Sequence, residues 1–405
     1  MLPHRLRTLI HRFPRQHWYL MTGMFINSTG MGMIWPFFTI YLRQRLGMPL
    51  TTITLLLTLD SLMSVASSFL SGPVSDRFGR KGVMVLSLGM MGVVYIFMSQ
   101  TTAVWGFAVL MALRGLFMPL YRIGADAMVA DIIPERDRAD AYSLLRTVNN
   151  AGVAIGPSIG GFVAAASYTV AFSIAAGCLI FFSLFVLLMM RETLPAENRR
   201  PAGAAPQDLG YSHILHNRPF LAFVGAFTMI GMGSSLVFVL LGVYAKENYG
   251  IVESQIGFIM AANALMVVFF QYVITGIFKR FNSFITLAAG AAFYMVGIGS
   301  IALGSRMEHF ILSMIILTIG ELITVPTATS LTASLAPPDM RGRYMSFYWL
   351  GWSISHGLGP VVGGLMNDAV SPASIWLTGA AWNAAAVLIF LFLFRRQRRS
   401  SPAAA

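Results

Sequence analysis

Apolar runs of about twenty residues, separated by short polar punctuation, recur along almost the whole chain. A run of that length crosses a ~30 Å hydrocarbon core as an α-helix. Short segments of alternating polarity, the mark of a membrane β-barrel, do not occur. Twelve spans are predicted, at roughly 18–41, 52–72, 82–100, 104–126, 142–166, 169–190, 219–244, 255–277, 283–303, 309–333, 343–366 and 373–394. The hydrophobicity stops for longest at 191–218, "RETLPAENRRPAGAAPQDLGYSHILHNR", a polar stretch rich in Pro, Gly and Ala. It reads as a linker with a short surface helix. The expected organisation is an N-terminal six-helix bundle (1–190), a cytoplasmic linker (191–218) and a C-terminal six-helix bundle with a basic tail (219–405).

Composition agrees with the pattern. Of 405 residues 56% are hydrophobic and 11% charged, and the mean hydropathy of +0.70 lies outside the range of soluble domains. The formal net charge of +12 could mark a nucleic-acid binder, but its distribution argues otherwise. One face collects Arg5, Arg7, Arg12 and Arg15, then Arg77, Arg80 and Lys81, then Arg136 and Arg138, Lys279 and Arg280, Arg341 and Arg343, and the tail Arg395–Arg399. The other has Arg43, Arg45, Lys246 and Arg306. Basic residues concentrate on the cytoplasmic side, so both termini are expected there, against anionic lipid rather than nucleic acid. The apolar stretch after the basic N-terminal arm is too long for a signal peptide and reads as a retained first helix. Cys178 is the only cysteine, which excludes an intramolecular disulfide.

The two halves repeat. A gap-free offset of 203 places Pro134 on Pro337, Arg138 on Arg341, Ser143 on Ser346, and Gly156-Pro157 with Gly160-Gly161 on Gly359-Pro360 with Gly363-Gly364. The same offset puts Arg77-Phe78 of "SGPVSDRFGRKGV" on Arg280-Phe281, where the second copy, "GIFKRFNSF", lacks the acid. Halves joined in the same order by a linker are the signature of a transporter built from parallel repeats.

With these features the whole chain resembles the major facilitator superfamily. Gly72-x-x-x-Asp76-Arg77-x-Gly79-Arg80-Lys81 is similar to that superfamily's loop signature after the second span. The resemblance implies an all-α membrane protein of twelve transmembrane helices in two pseudo-symmetric six-helix bundles, working by alternating access. It also implies that Asp76 caps or pairs with the neighbouring bundle, and that Arg80 pairs with an acid ending the fourth span, here Asp131, as a conformational latch. In the fifth span Gly152, Gly156 and Gly160 lie four apart, beside Pro157 and Gly161. That spacing permits close helix approach. The pattern also resembles the signature of the antiporter branch, where it seals the bundle against ion leak.

Ionisable groups deep in a span are costly, about 2.5–3.5 kcal/mol even on lenient scales, and are functional candidates by default. Arg114 lies near the middle of the fourth span, in a position resembling the superfamily's fourth-span Arg motif, linked there to proton transfer. Glu321, in "TIGELITVP", resembles the tenth-span acid of bacterial multidrug/proton antiporters. An apolar cavity disfavours a bare carboxylate, so a cationic substrate and a proton can compete for such a group. Asp60 in the second span is a further coupling candidate, against a structural role near the outer interface. Arg146 could pair with an acid or contact an anionic ligand, and Arg122 and Asp126 are expected to satisfy each other. Many drug antiporters carry an acid in the first span. This chain offers Asn27 instead, a departure that weighs against strict cation selectivity.

Twenty-six Met and many aromatics suit a pocket that repacks around varied ligands, although most are expected to face lipid. Helix position selects Trp35, Phe38, Tyr121, Asn149, Phe238, Tyr348, Trp352 and His356 as candidate substrate contacts. No phosphate-binding G-x-x-x-x-G-K-[ST] and no H-E-x-x-H occurs. Neither ATP drive, a metal site nor enzymatic chemistry is expected. The leading expectation is a monomeric proton-coupled antiporter of a bacterial inner membrane, with no cofactor beyond the proton gradient, exporting small amphipathic compounds. A lipid or glycolipid translocator on the same fold and a proton-coupled metabolite symporter are the alternatives.

Overall fold

The computed structural model describes residues 13–194, 212–336 and 341–400. Backbone polar groups in hydrocarbon must be satisfied within their own segment, and the described residues are correspondingly helical. The first six long helices are α1 (Arg15–Leu46), α2 (Leu50–Phe78), α3 (Arg80–Gln100), α4 (Val104–Ile132), α5 (Glu135–Ala166) and α6 (Tyr168–Met189). A short α7 (Ser212–His216) precedes the second six: α8 (Arg218–Tyr249), α9 (Glu253–Phe278), α10 (Ser283–Ile301), α11 (Met307–Leu335), α12 (Arg341–Ala369) and α13 (Ser374–Ser400). Nine described helices are apolar enough over a sufficient length to cross a membrane. The three other long ones, α1, α5 and α12, match them in length at 32, 32 and 29 residues but carry more polar side chains. Part of that polarity is spent on other helices: Ser28 Oγ of α1 donates to Asn149 Oδ1 of α5 at 2.7 Å.

The chain forms two compact units, one of residues 1–37 and 62–205, the other of residues 38–61 and 206–405. In the first, α3 packs on α4 and α6, around fully buried Tyr95, Phe107, Phe172 and Phe182. In the second, α10 packs on α11 and α13, and α8 on α12 and α13, around Phe220, Phe223, Phe227, Tyr344, Tyr348 and Trp376. Large apolar side chains such as Trp105, Leu188, Phe269 and Phe392 remain exposed, as a surface solvated by acyl chains requires.

The repeat is visible contact by contact. In the first unit, a Cβ at Gly156 would stand 2.7 Å from the Thr29 carbonyl oxygen and 2.8 Å from Gly32 Cα, and one at Gly160 would collide with the Met33 backbone. In the second unit, a Cβ at Gly359 would stand 2.9 Å from the Met232 carbonyl oxygen and collide with Ser235, while one at Gly363 would meet Leu236 at 2.5 Å. Each partner in the second set is the first-set partner shifted by the same 203 positions. Gly152 is replaced by Ser355 in the second copy, and there Ser355 Oγ donates to the Thr228 carbonyl at 2.8 Å.

The signature between α2 and α3, read from sequence as a short loop, is almost entirely helical. Gly72 to Phe78 complete α2, and Gly79 alone, at φ +84°, turns the chain into α3. Only a glycine takes that conformation without strain.

Residues 38–61, the end of α1 and the start of α2, pack with the second unit. Arg43 Nε meets Glu247 of α8 at 2.8 Å. Thr58 Oγ1 donates to the Gly357 carbonyl at 2.6 Å. Asp368, at the end of α12, accepts from Thr51 N at 2.8 Å and from Thr51 Oγ1 at 2.7 Å, closing the first turn of α2. Partial burial alone would raise the Asp368 carboxyl, but the hydrogen bonds from Thr51, Asn367 and Leu50 outweigh it and hold the group below the ordinary aspartate range.

Two predictions follow from this packing. Gly156→Leu or Gly359→Leu must push backbone against backbone, a cost of about 1–3 kcal/mol or more; Gly177→Leu, where an added Cβ meets nothing within 4 Å, must not. Thermal melts monitored by size-exclusion chromatography will show both transitions lowered and the third unchanged. Because the Asp368 pKa is lowered on folding, its stabilisation is present above the free aspartate value and lost as pH falls through the lowered one. The melting difference between wild type and Asp368→Asn will therefore hold from neutral pH to about 5 and close below about 4.

Candidate substrate and coupling site

In the second unit a polar cluster is built across four apolar helices, α8 to α11. Glu321 sits on α11, one turn after Thr318, so the two share a helix face. Asn263 of α9 donates through Nδ2 to Glu321 Oε2 at 2.8 Å and to Thr318 Oγ1 at 2.9 Å. Tyr294 of α10 lies within electrostatic reach of this carboxylate and of Tyr348, and hydrogen-bonds to Ser234 of α8. Among the described residues the Glu321 carboxylate is met by a neutral amide, not by a cation.

An aromatic ladder continues from Tyr348. Phe227 of α8 stacks on it at 4.5 Å between ring centroids and reaches Trp352 at 6.1 Å. Trp352 faces His356 at 4.5 Å, and His356 Nδ1 lies 3.1 Å from the Trp352 carbonyl. Three of the four residues selected from α8 and α12 therefore stand together, beside Phe227, which was not selected. Phe238, the fourth, is part-buried on α8.

In the first unit, Arg114 is 4% exposed, lies over the Trp35 ring at 4.4 Å and donates to Met118 Sδ at 3.7 Å. Its charge is thus accommodated by an aromatic face. Tyr121 is buried against Phe182 at 5.8 Å and donates to Met24 Sδ at 4.0 Å. Asn27 is buried, Asn149 holds Ser28, and Arg146 is exposed. Arg122 and Asp126 lie 3.9 Å apart on the surface. Phe38 and Asp60 are both buried within the segment that packs with the second unit. By the 203-residue offset Trp35 corresponds to Phe238, Asp60 to Asn263 and Met118 to Glu321.

At the start of α3, Arg80 Nε lies 3.4 Å from Asp131 of α4, and its Nη1 donates to Ser75 Oγ at 3.1 Å. The exposed N-terminus of α3 is closed by Glu192, just beyond α6. Its Oε1 accepts from Arg80 N at 3.0 Å and its Oε2 from Lys81 N at 3.2 Å. Thr193 Oγ1 donates to the same Asp131 at 2.9 Å. A side chain at Gly79 would run into the Glu192 carboxylate, a second reason for glycine there. The side chains of Asp76 and Arg77, and the surroundings of Gly72, lie outside the described residues. The packing glycines Gly152, Gly156, Gly160 and Gly161 are buried together with Pro157.

This helical repeat matches a known family over most of its length: the Major Facilitator Superfamily model aligns with residues 20–360 and again with 226–405. The chain belongs to the Major Facilitator Superfamily. It is a multi-pass membrane transporter, not an enzyme. Similar superfamily members include an uncharacterized MFS-type transporter, YttB, of Bacillus subtilis, 27% identical over 88% of this chain and 89% of the relative. A Na(+), Li(+), K(+)/H(+) antiporter of Planococcus maritimus is 27% identical over 84% and 87%. Multidrug resistance protein MdtH of Yersinia enterocolitica is 26% identical over 87% and 86%. Among solved structures, a POT family transporter in complex with a thioalcohol-conjugated peptide superposes with a TM-score of 0.80 at 16% identity, covering 96% of this chain and 97% of that one. At that identity the likeness establishes the superfamily fold alone.

Sequence reasoning missed Glu192, Thr193, Asn263, Tyr294 and Phe227. Two of them left a signal: Asn263 is a polar residue in an apolar span matched by the repeat to Asp60, and Glu192 is an acid directly after a span on the face of a basic loop. Removing the cap with Glu192→Ala is expected to cost about 1 kcal/mol. Glu192→Gln, whose amide oxygen still accepts, will cost less. Melting temperatures of the two variants against wild type check this order.

Proposed function

We propose that this transporter is a proton-coupled antiporter that exports small amphipathic compounds across a bacterial inner membrane by alternating access, with both termini cytoplasmic and Glu321 as the coupling acid. The observation that carries the reading is the Glu321 environment. An acid inside an apolar span is held by the Asn263 amide and, among the described residues, has no fixed counter-cation. A bare carboxylate there is costly. A proton or a substrate cation must neutralise it, and since each displaces the other, exchange follows as linkage. The Tyr348–Trp352 ladder supplies flat, polarizable surface beside it for an aromatic or cationic ligand. On this reading Arg114 assists proton transfer, Asp60 is a second titrating group, and Asp76, Arg80 and Asp131 govern the conformational switch. The monomer is the working unit and the proton gradient the only energy source. Kinship with the multidrug resistance protein MdtH supports the drug-export class.

The Planococcus maritimus relative favours a second reading, in which the exchanged cation is a monovalent metal ion. The oxygens of Thr318 and Glu321, both within hydrogen-bond distance of the Asn263 amide, give that reading its structural footing. One assay separates the two. In proteoliposomes with an imposed pH gradient, efflux of lipophilic cationic dyes is expected to follow the gradient and to fall about tenfold or more in Glu321→Gln. Sodium or potassium flux with no dye flux selects the second reading, and flux indifferent to the gradient overturns both.

A further inference from the structure

At the turn between α9 and α10 the second unit has a cavity of about 400 Å³ lined by Tyr272, Val273, Gly276, Ile277, Lys279, Arg280 and Phe281. The side approaching it along α9 is apolar and open. Leu265, Phe269, Tyr272 and Val273 follow helical spacing on one face and are all exposed, Tyr272 at 91%. Gly276 continues that face, and a Cβ there would meet nothing within 4 Å. The helix therefore presents an exposed apolar face, furrowed at Gly276, that ends at two adjacent cations.

More positive charge adjoins the turn. Asn282, the N-cap of α10, donates through Nδ2 to Gln397 Oε1 of α13 at 3.0 Å, which ties this turn to the end of α13 that bears Arg395, Arg396 and Arg398. No Asp or Glu occurs in residues 254–307 or 369–405, the two stretches that meet here. A charge cluster without internal acids, at the end of an open apolar furrow, has the polarity of a phospholipid: anionic head at the interface, acyl chain in the core. Guanidinium and ammonium groups side by side suit phosphate oxygens.

The geometry points to this cleft as a binding site for an anionic phospholipid, its phosphate between Lys279 and Arg280 and one acyl chain along Leu265–Gly276 of α9. The site lies in the worn second copy of the loop signature, where the first copy's acid has been lost. Loss of that acid leaves the turn net positive, which a phosphate headgroup requires.

Native mass spectrometry of the full-length transporter in detergent tests this, with phosphatidylglycerol and phosphatidylcholine added at equal concentration. Wild type is expected to retain phosphatidylglycerol about tenfold more than phosphatidylcholine. Lys279→Gln/Arg280→Gln should lose that preference. Gly276→Leu should lose retention by filling the furrow, with all charges kept. The charge-matched Arg15→Gln/Arg218→Gln should behave as wild type. The proposal is overturned if the two lipids are retained equally, if the charge-matched control loses as much as the Lys279/Arg280 variant, or if Gly276→Leu keeps the lipid. It is also overturned if glycerol phosphate, which lacks acyl chains, displaces the lipid, since the cleft then takes free phosphate. Should the double variant fail to fold, Gly276→Leu decides alone.

Discussion

The fold depends on how closely two pairs of helices approach. In hydrocarbon there is no hydrophobic effect to press helices together, so association rests on backbone proximity and on the dispersion contacts it allows. Gly156 and Gly160 bring α5 onto α1, and Gly359 and Gly363 bring α12 onto α8 through residues at the same 203-position offset. With these contacts in place, the remaining helices of each unit can spend polar side chains on chemistry rather than cohesion.

That division explains where polarity is found. Helices such as α3, α6 and α10 pack through small and apolar side chains and carry almost nothing ionisable within their spans. Glu321 and Arg114 sit on α11 and α4, where an amide meets the carboxylate and an aromatic face and a thioether meet the guanidinium.

Much of this was legible in the chain. Span positions follow from hydropathy, and the helices match them within a few residues except where polar turns extend α2, α4, α5 and α13 beyond the apolar run. Glycine spacing and the internal offset together anticipated a close helix approach by α5 and its repetition in α12, because both are periodic, but not that the partners are α1 and α8. The partners of Glu321, the cap supplied by Glu192 and the clasp made by Asp368 were not legible. Each joins residues 58 to 317 positions apart, and such pairings are set by how helices rotate and slide in the bundle, which no local pattern encodes. The one-residue turn at Gly79 was missed for a related reason: a dense run of charge looks like a loop, whereas here it ends one helix and starts the next.

Two helix starts share an unusual property. α2 takes the acceptor for its first turn from Asp368, far along the chain, and α3 takes its own from Glu192. A helix capped by its own sequence carries its start wherever it goes. A helix with a borrowed cap does not: if the lender moves away, its leading N–H groups must find water or give up a turn. The lengths of α2 and α3 are therefore set by tertiary contacts as much as by sequence, and the two ends at which this holds lie at opposite ends of α2.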